Sequence, residues 1–167
     1  MAQILVIDDD PDLRAMLGQT LKSAGHKVIL AADGREGVAR YRTSPADLAI
    51  IDLYMPNQEG LETLREFHTR FPEAAIVAMS GWPTAATMLS IAQKLGAIGV
   101  LHKPFFIKEL IAVVAQALGG QSQARRCPRC GSHMVLRRAK TGQHVGRKVW
   151  GCSTFAKTKC GGIREVE

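Results

Sequence analysis

The first 118 residues alternate short apolar runs with longer segments of helical periodicity, and this alternation is the strongest constraint on the fold. Five runs have strand length and are nearly all apolar, as strands buried on both faces must be. They are residues 4–7, 28–31, 48–51, 75–79 and 98–101. Helical segments between such strands form a parallel sheet covered on both sides. The sequence therefore predicts an α/β domain with a doubly wound, five-stranded parallel sheet over residues 1–118.

The predicted helices carry boundary signals. Asp10 and Pro11 suit the N-cap and first position of the first helix. Gly25, Gly96 and Gly119 follow three predicted helices, where a left-handed C-cap residue is expected. Gly119 also opens a small, polar stretch typical of a flexible connector, so we predict a linker at residues 119–126.

Charge divides the chain at the same place. Residues 1–120 hold 11 basic and 13 acidic residues, a net charge of −2, whereas residues 121–167 hold 11 and 2, a net charge of +9. The cysteines lie in the basic segment as well. We therefore predict that a separate small module occupies residues 127–167.

The cysteine spacing of this module indicates a metal site. The spacing C-x₂-C-x₂₁-C-x₇-C comes from Cys127, Cys130, Cys152 and Cys160. The N-terminus has neither a signal peptide nor a membrane span, so we expect a cytoplasmic protein, in which disulfides are rare. Four thiolates would close a tetrahedral Zn²⁺ site, with free thiols or a disulfide as alternatives. We predict a small β zinc ribbon whose folding depends on the metal.

Polar residues follow four of the predicted strands. In parallel sheets, ligands bind outside the carboxyl ends of the strands. Carboxylates follow the first and third strands, a hydroxyl the fourth and an ammonium group the fifth. These residues are Asp8, Asp9, Asp10, Asp52, Ser80 and Lys103. Taken singly, Asp10 is explained as a helix cap and Ser80 as part of a turn, but clustered carboxylates repel one another unless a cation joins them. Oxygen ligands of this kind suit Mg²⁺.

Four segments resemble the signature motifs of bacterial response-regulator receiver domains. They are residues 4–10 (ILVIDDD), 47–56 (DLAIIDLYMP), 79–81 (MSG) and 103–105 (KPF). The resemblance covers residues 1–118 and implies a flavodoxin-like fold. It also implies that a histidine kinase or phosphotransfer protein is the partner that supplies the phosphoryl group.

The same resemblance implies a role for each site residue. Asp52 would be the phosphoacceptor, Ser80 would contact the phosphoryl group and Lys103 would be its ion-pair partner. The implied Mg²⁺ ligands are Asp8, Asp9, Asp52 and the Tyr54 carbonyl, with Asp8 acting mainly through a bound water. The Lys103–Pro104 peptide bond is expected to be cis. Val100 departs from the family, which often has an aromatic switch residue there, so we expect an atypical coupling to the output face.

The C-terminal module resembles the zinc ribbons at the C-terminus of bacterial type IA topoisomerases, over residues 127–160. Those ribbons bind single-stranded DNA, and basic side chains beside an aromatic ring suit phosphate contacts and base stacking. The candidate nucleic-acid contacts are Arg137, Arg138, Lys148 and Trp150. An alternative remains open, in which Trp150 packs the small core and the charges keep the module soluble. Short strands are predicted at residues 134–136 and 148–150.

Two functions of different classes follow from these features. The first is a phosphorylation-controlled response regulator whose ribbon binds nucleic acid. The second is a phosphorylation-dependent interaction module whose ribbon docks a protein partner. An enzyme is not expected, because no pair of nucleophile and base stands outside the phosphorylation site. We further expect no membrane association, and dimerisation that depends on phosphorylation.

Overall fold

The structure is a computed structural model of the 167-residue chain. It describes residues 1–55, 60–72, 74–81, 85–124, 127, 129–130, 134–139, 145–152 and 160–165. The chain divides into two compact units, Met1–Leu118 and Gly119–Glu167. Within the described residues, no helix is long and apolar enough to cross a membrane.

Strands and helices alternate along the first unit. Its strands are β1 (Gln3–Ile7), β2 (Lys27–Ala31), β3 (Leu48–Asp52), β4 (Ile76–Ser80) and β5 (Gly99–His102). Its helices are α1 (Pro11–Ser23), α2 (Gly34–Thr43), α3 (Gly60–Arg70), α4 (Ala85–Lys94) and α5 (Ile107–Ala124), the last of which continues six residues beyond Leu118. Each strand matches the run predicted from the sequence to within one residue at either end.

The sheet of the first unit has the strand order β2-β1-β3-β4-β5, and every pair of neighbours is parallel. The chain passes from β1 outward to β2 and then returns to add β3 on the other side of β1. The doubly wound, flavodoxin-like architecture predicted from the sequence is therefore confirmed. Its switch point lies between β1 and β3, where such sheets bind ligands at the carboxyl ends of the strands.

Apolar side chains are buried on both faces of this sheet. Along β1, Leu5 and Ile7 join one cluster of buried side chains, whereas Ile4 and Val6 join the other, as the alternation of a strand requires. Residues of α2, α3 and α4 complete the first cluster, and residues of α1 and α5 complete the second. This burial on both faces explains why the strands are almost entirely apolar.

The helix boundaries confirm most of the predicted signals. The Asp10 side chain caps α1 by accepting hydrogen bonds from the backbone N–H groups of Asp12 and Leu13. Gly25 and Gly96 follow α1 and α4 with φ values of +86° and +97°, the left-handed conformation that favours glycine.

The prediction for Gly119 was wrong. Helix α5 continues through Gly119 to Ala124, so residues 119–124 of the predicted flexible linker are helical, while residues 125–126 lie outside the described part of the chain. Extending an existing helix adds about one backbone hydrogen bond per residue. Here that gain offsets the roughly 1 kcal/mol that a helical glycine costs relative to alanine.

The second unit contains a three-stranded antiparallel sheet. Its strands are β6 (Met134–Arg138), β7 (Lys148–Cys152) and β8 (Ile163–Glu165), in the order β6-β7-β8. The strands predicted at 134–136 and 148–150 are confirmed, and β8 is an addition that the sequence did not indicate. Met134, Cys127 and Cys152 form a small buried cluster, against which Trp150 and Cys160 pack.

Replacing Gly119 with alanine tests the helical continuation of α5. A Cβ at Gly119 would meet no atom within 4 Å, so Gly119→Ala should raise the free energy of unfolding by about 0.5–1 kcal/mol through helix propensity alone. Gly25→Ala is the matched control: its site is equally open, but its positive φ should make the change destabilising by about 1–2 kcal/mol. Urea unfolding would measure both. An unchanged stability for Gly119→Ala, with no added hydrogen-exchange protection at 119–124, would contradict a helix there.

Candidate functional site

The carboxyl ends of the parallel strands bring the predicted polar residues together. Asp52 ends β3 and Ser80 ends β4, while Asp8 follows β1 and Lys103 follows β5. Asp8, Asp52 and Ser80 are almost fully buried. Buried polar groups need hydrogen-bond partners to offset their desolvation, so the contacts among these side chains define the site.

Lys103 bridges two of the carboxylates. Its Nζ donates hydrogen bonds to Asp52 Oδ2 at 2.6 Å and to Asp8 Oδ2 at 2.9 Å. Burial raises the pKa of Asp8 above its ordinary value, although the hydrogen bond and charge of Lys103 oppose the rise. Burial alone would lower the pKa of Lys103, but the hydrogen bonds and negative charges of Asp52 and Asp8 raise it overall. One ammonium group thus faces two carboxylates, and the negative charge that it does not neutralise could be balanced by a second cation.

Backbone groups hold the second oxygen of each carboxylate. Asp8 Oδ1 accepts a hydrogen bond from the Asp10 N–H at 2.9 Å, and Asp52 Oδ1 accepts one from the Tyr54 N–H at 3.0 Å. Each carboxylate is therefore fixed between Lys103 on one oxygen and its own loop on the other. The Tyr54 side chain is 75% exposed, and its predicted role as a ligand through the carbonyl stays a prediction. Pro56, the last residue of the same sequence motif, lies outside the described residues.

The carboxylates fit a Mg²⁺ ion. One oxygen from each of Asp8, Asp9 and Asp52 lies within 4.8 Å of the others. Asp9 is exposed, whereas the other two are buried. A donor set made only of oxygen atoms is the kind that Mg²⁺ prefers. Burial raises the pKa of Asp8 and so disfavours its ionised form. A bound cation would stabilise that form.

Two residues contact this site that sequence analysis missed. The Arg14 guanidinium donates to the Asp8 carbonyl oxygen at 2.6 Å, which ties α1 to the loop after β1. A Cβ built at Gly60 would overlap the Asp52 carbonyl oxygen and the Leu53 backbone, so only glycine lets α3 begin so close to β3. In the sequence, Arg14 could have been found as a basic residue one turn after the Asp10 cap. Gly60 could have been found as a glycine shortly after the motif at 47–56.

Comparison with known proteins identifies the first unit. The family model for the response regulator receiver domain matches residues 4–115. The chain belongs to the response regulator receiver family. The Lys103–Pro104 peptide bond is cis, as the resemblance to receivers implied.

Relatives of this receiver include transcriptional regulators. The DNA-binding transcriptional regulator NtrC of Azospirillum brasilense is 34% identical over 127 residues, which make up 76% of this chain and 26% of that protein. The virulence transcriptional regulatory protein PhoP of Salmonella typhimurium is 33% identical over 115 residues, or 67% of this chain and 50% of that protein. The chain thus spans a quarter to a half of the length of these two relatives.

A solved receiver domain protein from Clostridium thermocellum has the same fold. It is 27% identical, superposes with a TM-score of 0.70, and the match covers 74% of this chain and 99% of that one. The receiver fold is therefore established by sequence and by structure.

Beyond the receiver, the four cysteines of the second unit form one cluster. Their Sγ atoms all lie within 4.8 Å of one another, with Cys130 and Cys152 sulfurs 3.4 Å apart and Cys127 and Cys160 sulfurs 3.7 Å apart. No disulfide joins any two of the four, because a disulfide needs an S–S distance of about 2.05 Å. This arrangement is compatible with a Zn²⁺ ion.

The electrostatics of Cys160 also favour a cation in this cluster. A hydrogen bond from the Gly162 N–H lowers the pKa of the Cys160 thiol, but hydrogen bonds with the other three cysteines and burial raise it to about 12. A thiolate is thus unfavourable among three neighbouring thiols. Zn²⁺ ligands are thiolates, and the charge of the ion would supply the missing stabilisation.

The strand register sorts the candidate nucleic-acid residues onto two faces of the ribbon sheet. Trp150 pairs with Leu136 on one side and Arg164 on the other, and Lys148 pairs with Arg138. Because alternate residues of a strand share a face, Arg138, Lys148, Trp150 and Arg164 lie on one face and Arg137 lies on the opposite one. Trp150 packs against the buried cysteine cluster and is partly exposed.

Asp8 and Asp9 should differ in their effect on Mg²⁺ binding. Asp9→Ala should weaken binding more than Asp8→Ala, because Asp9 is the one of the two that is expected to ligate Mg²⁺ directly, whereas Asp8 is expected to act mainly through a bound water. Isothermal titration calorimetry with Mg²⁺ would measure the difference, with the exposed Asp12→Ala as a control that keeps wild-type affinity. Equal losses for the two variants would argue against these roles.

Proposed function

We propose that this protein is a response regulator of a two-component phosphorelay, phosphorylated on Asp52 by a histidine kinase or a phosphotransfer protein. The observation that carries the proposal is the position of the Asp52 carboxylate at the end of β3. It lies 2.6 Å from Lys103 Nζ and within 4.8 Å of the Asp8 and Asp9 carboxylates. A single carboxylate thus has both a cation and the ligands for a second cation beside it.

The chemistry requires positioning and charge neutralisation. An Asp52 carboxylate oxygen forms a bond to the phosphorus of a phosphohistidine as the P–N bond breaks, and the imidazole leaves with its electron pair. The transition state of phosphoryl transfer is loose, so catalysis depends chiefly on neutralising the phosphoryl oxygens. Lys103 supplies one positive charge, and the Ser80 hydroxyl at the end of β4 is proposed to donate a hydrogen bond to the phosphoryl group. Mg²⁺ held by Asp8, Asp9, Asp52 and the Tyr54 carbonyl would supply the remaining charge.

Val100 makes the proposed switch unusual. It stands in β5 opposite Ala78 and packs against the apolar cluster on the side of α4. A β-branched side chain has few χ1 rotamers and carries no ring that could turn inward. We therefore propose that phosphorylation reaches the output face without rotation of an aromatic side chain at this position.

The second unit is proposed to be a Zn²⁺ ribbon that binds single-stranded DNA. The net charge of +9 over residues 121–167 becomes about +7 after four thiolates bind Zn²⁺, and still favours a polyanion. The partly exposed Trp150 shares a sheet face with Arg138, Lys148 and Arg164. Aromatic and basic residues together are the combination that holds unpaired bases and their phosphates.

A protein-docking function is the second candidate. Two adjacent exposed apolar residues favour it: Phe106 is 70% exposed and Ile107, the first residue of α5, is 58% exposed. Such residues contribute to protein interfaces when they form part of a larger apolar patch. In this alternative, phosphorylation would control dimerisation or partner binding, and the ribbon would contact a protein.

Asp52→Asn should abolish phosphorylation. The amide keeps the shape of the side chain but cannot act as the nucleophile, so labelling by acetyl phosphate in Mg²⁺ should fall to background. Asp12→Asn is the matched control, since Asp12 is an exposed aspartate of α1 that should be labelled like the wild type. The measurement is the acid-labile phosphate per chain. Substantial labelling of the Asp52→Asn variant would exclude Asp52 as the sole phosphoacceptor.

Arg138→Ala and Arg137→Ala compare how much each face of the ribbon sheet contributes to DNA binding. In the zinc-loaded full chain, Arg138→Ala should weaken binding to single-stranded DNA and reduce the slope of log K against log salt by about 0.7, the loss of one phosphate contact. Arg137→Ala changes the same charge on the opposite face and should have a much smaller effect. Fluorescence anisotropy at several salt concentrations measures both. Undetectable binding of the wild type at low salt would remove the nucleic-acid function and favour protein docking.

A further inference from the structure

Two adjacent glycines, Gly161 and Gly162, follow the last cysteine of the cluster. Among the described residues, the glycines with positive φ are Gly25, Gly96 and Gly146, so neither Gly161 nor Gly162 is required by a left-handed backbone. The two positions differ in burial, because Gly161 is exposed and Gly162 is buried. A reason for glycine must therefore be sought in the space around each residue.

The surroundings of the two glycines are very different. A Cβ built at Gly162 would overlap Cys127 Sγ, the sulfur of a buried cysteine. A Cβ at Gly161 would approach only Arg129 Nη1, at 3.5 Å, which is an ordinary van der Waals contact with the end of a flexible side chain. At position 162, therefore, only glycine lets the backbone lie this close to the Cys127 sulfur, whereas position 161 has space for a side chain.

Gly162 contacts the cluster through its backbone as well. Its N–H donates a hydrogen bond to the Cys160 sulfur, and its carbonyl oxygen accepts one from the Cys152 N–H at 3.0 Å. One residue therefore touches Cys127 by close approach and Cys152 and Cys160 by hydrogen bonds. Groups that surround metal ligands in this way fix the ligand geometry, and their loss usually lowers metal affinity by about 10–100-fold.

We propose that Gly162 is a positioning residue for the ribbon metal site. The absence of its side chain lets the segment before β8 lie against Cys127 Sγ, while its peptide groups orient the residues of the last two cysteines. This inference rests on the proposed Zn²⁺ site. It predicts that a single methyl group at position 162 damages the site, and that the same methyl group at position 161 does not.

The test is a metal titration of the full chain, with Co²⁺ as a spectroscopic substitute and Zn²⁺ competition for affinity. Gly162→Ala should lose about 10–100-fold in affinity and change the absorption bands of the bound Co²⁺. Gly161→Ala should stay within about threefold of the wild type with an unchanged spectrum, because its methyl group meets only ordinary contacts. Phosphorylation of Asp52 in each variant checks that the receiver is folded.

Gly161→Ala also serves as the control for general disruption of the turn, because it adds the same methyl group one residue earlier. Equal losses for the two glycine variants, or wild-type binding by Gly162→Ala, would each overturn the role of Gly162. Absence of Co²⁺ and Zn²⁺ binding in the wild type would instead remove the metal site itself.

Discussion

The receiver depends on one ammonium group shared by two buried carboxylates. Strands covered on both faces can carry polar side chains only at their ends, and in this sheet the ends of β1, β3 and β5 meet. Lys103 neutralises only part of the charge of Asp8 and Asp52, and removing one partner of such a buried pair typically costs about 3–5 kcal/mol. The charge that Lys103 leaves unneutralised is negative, and a divalent cation could balance it.

The sequence was sufficient to predict the strands and the main site residues because the two follow from one constraint. Apolar runs of strand length force a buried parallel sheet, and parallel strands bring Asp8, Asp52, Ser80 and Lys103 to one edge. Contacts that depend on how a helix docks were beyond prediction. The bond from Arg14 to the Asp8 carbonyl is one such contact. The end of α5 was misjudged because glycine marks many helix ends, yet a formed helix can continue through it.

The ribbon shows a different limit of sequence reasoning. Cysteine spacing was enough to predict that four thiols cluster, since such spacing in so small a module is typical of a single metal site. Strand register was not predictable, because shifting a pairing by one residue moves every side chain to the other face. The adjacent Arg137 and Arg138 look equivalent in the sequence, and only the pairing with Lys148 and Val149 separates them.

Gly60, the first residue of α3, is in close contact with the end of β3. The first residue of α3 is packed so closely on the Asp52 and Leu53 backbone that even a methyl group would not fit. Close-packed interiors transmit displacement rather than absorb it. Leu64 and Phe67, farther along α3, are fully buried in the cluster that also contains α4 residues. We therefore expect a backbone shift at Asp52 to displace the start of α3. Through the packed side chains of α3, that displacement would reach α4.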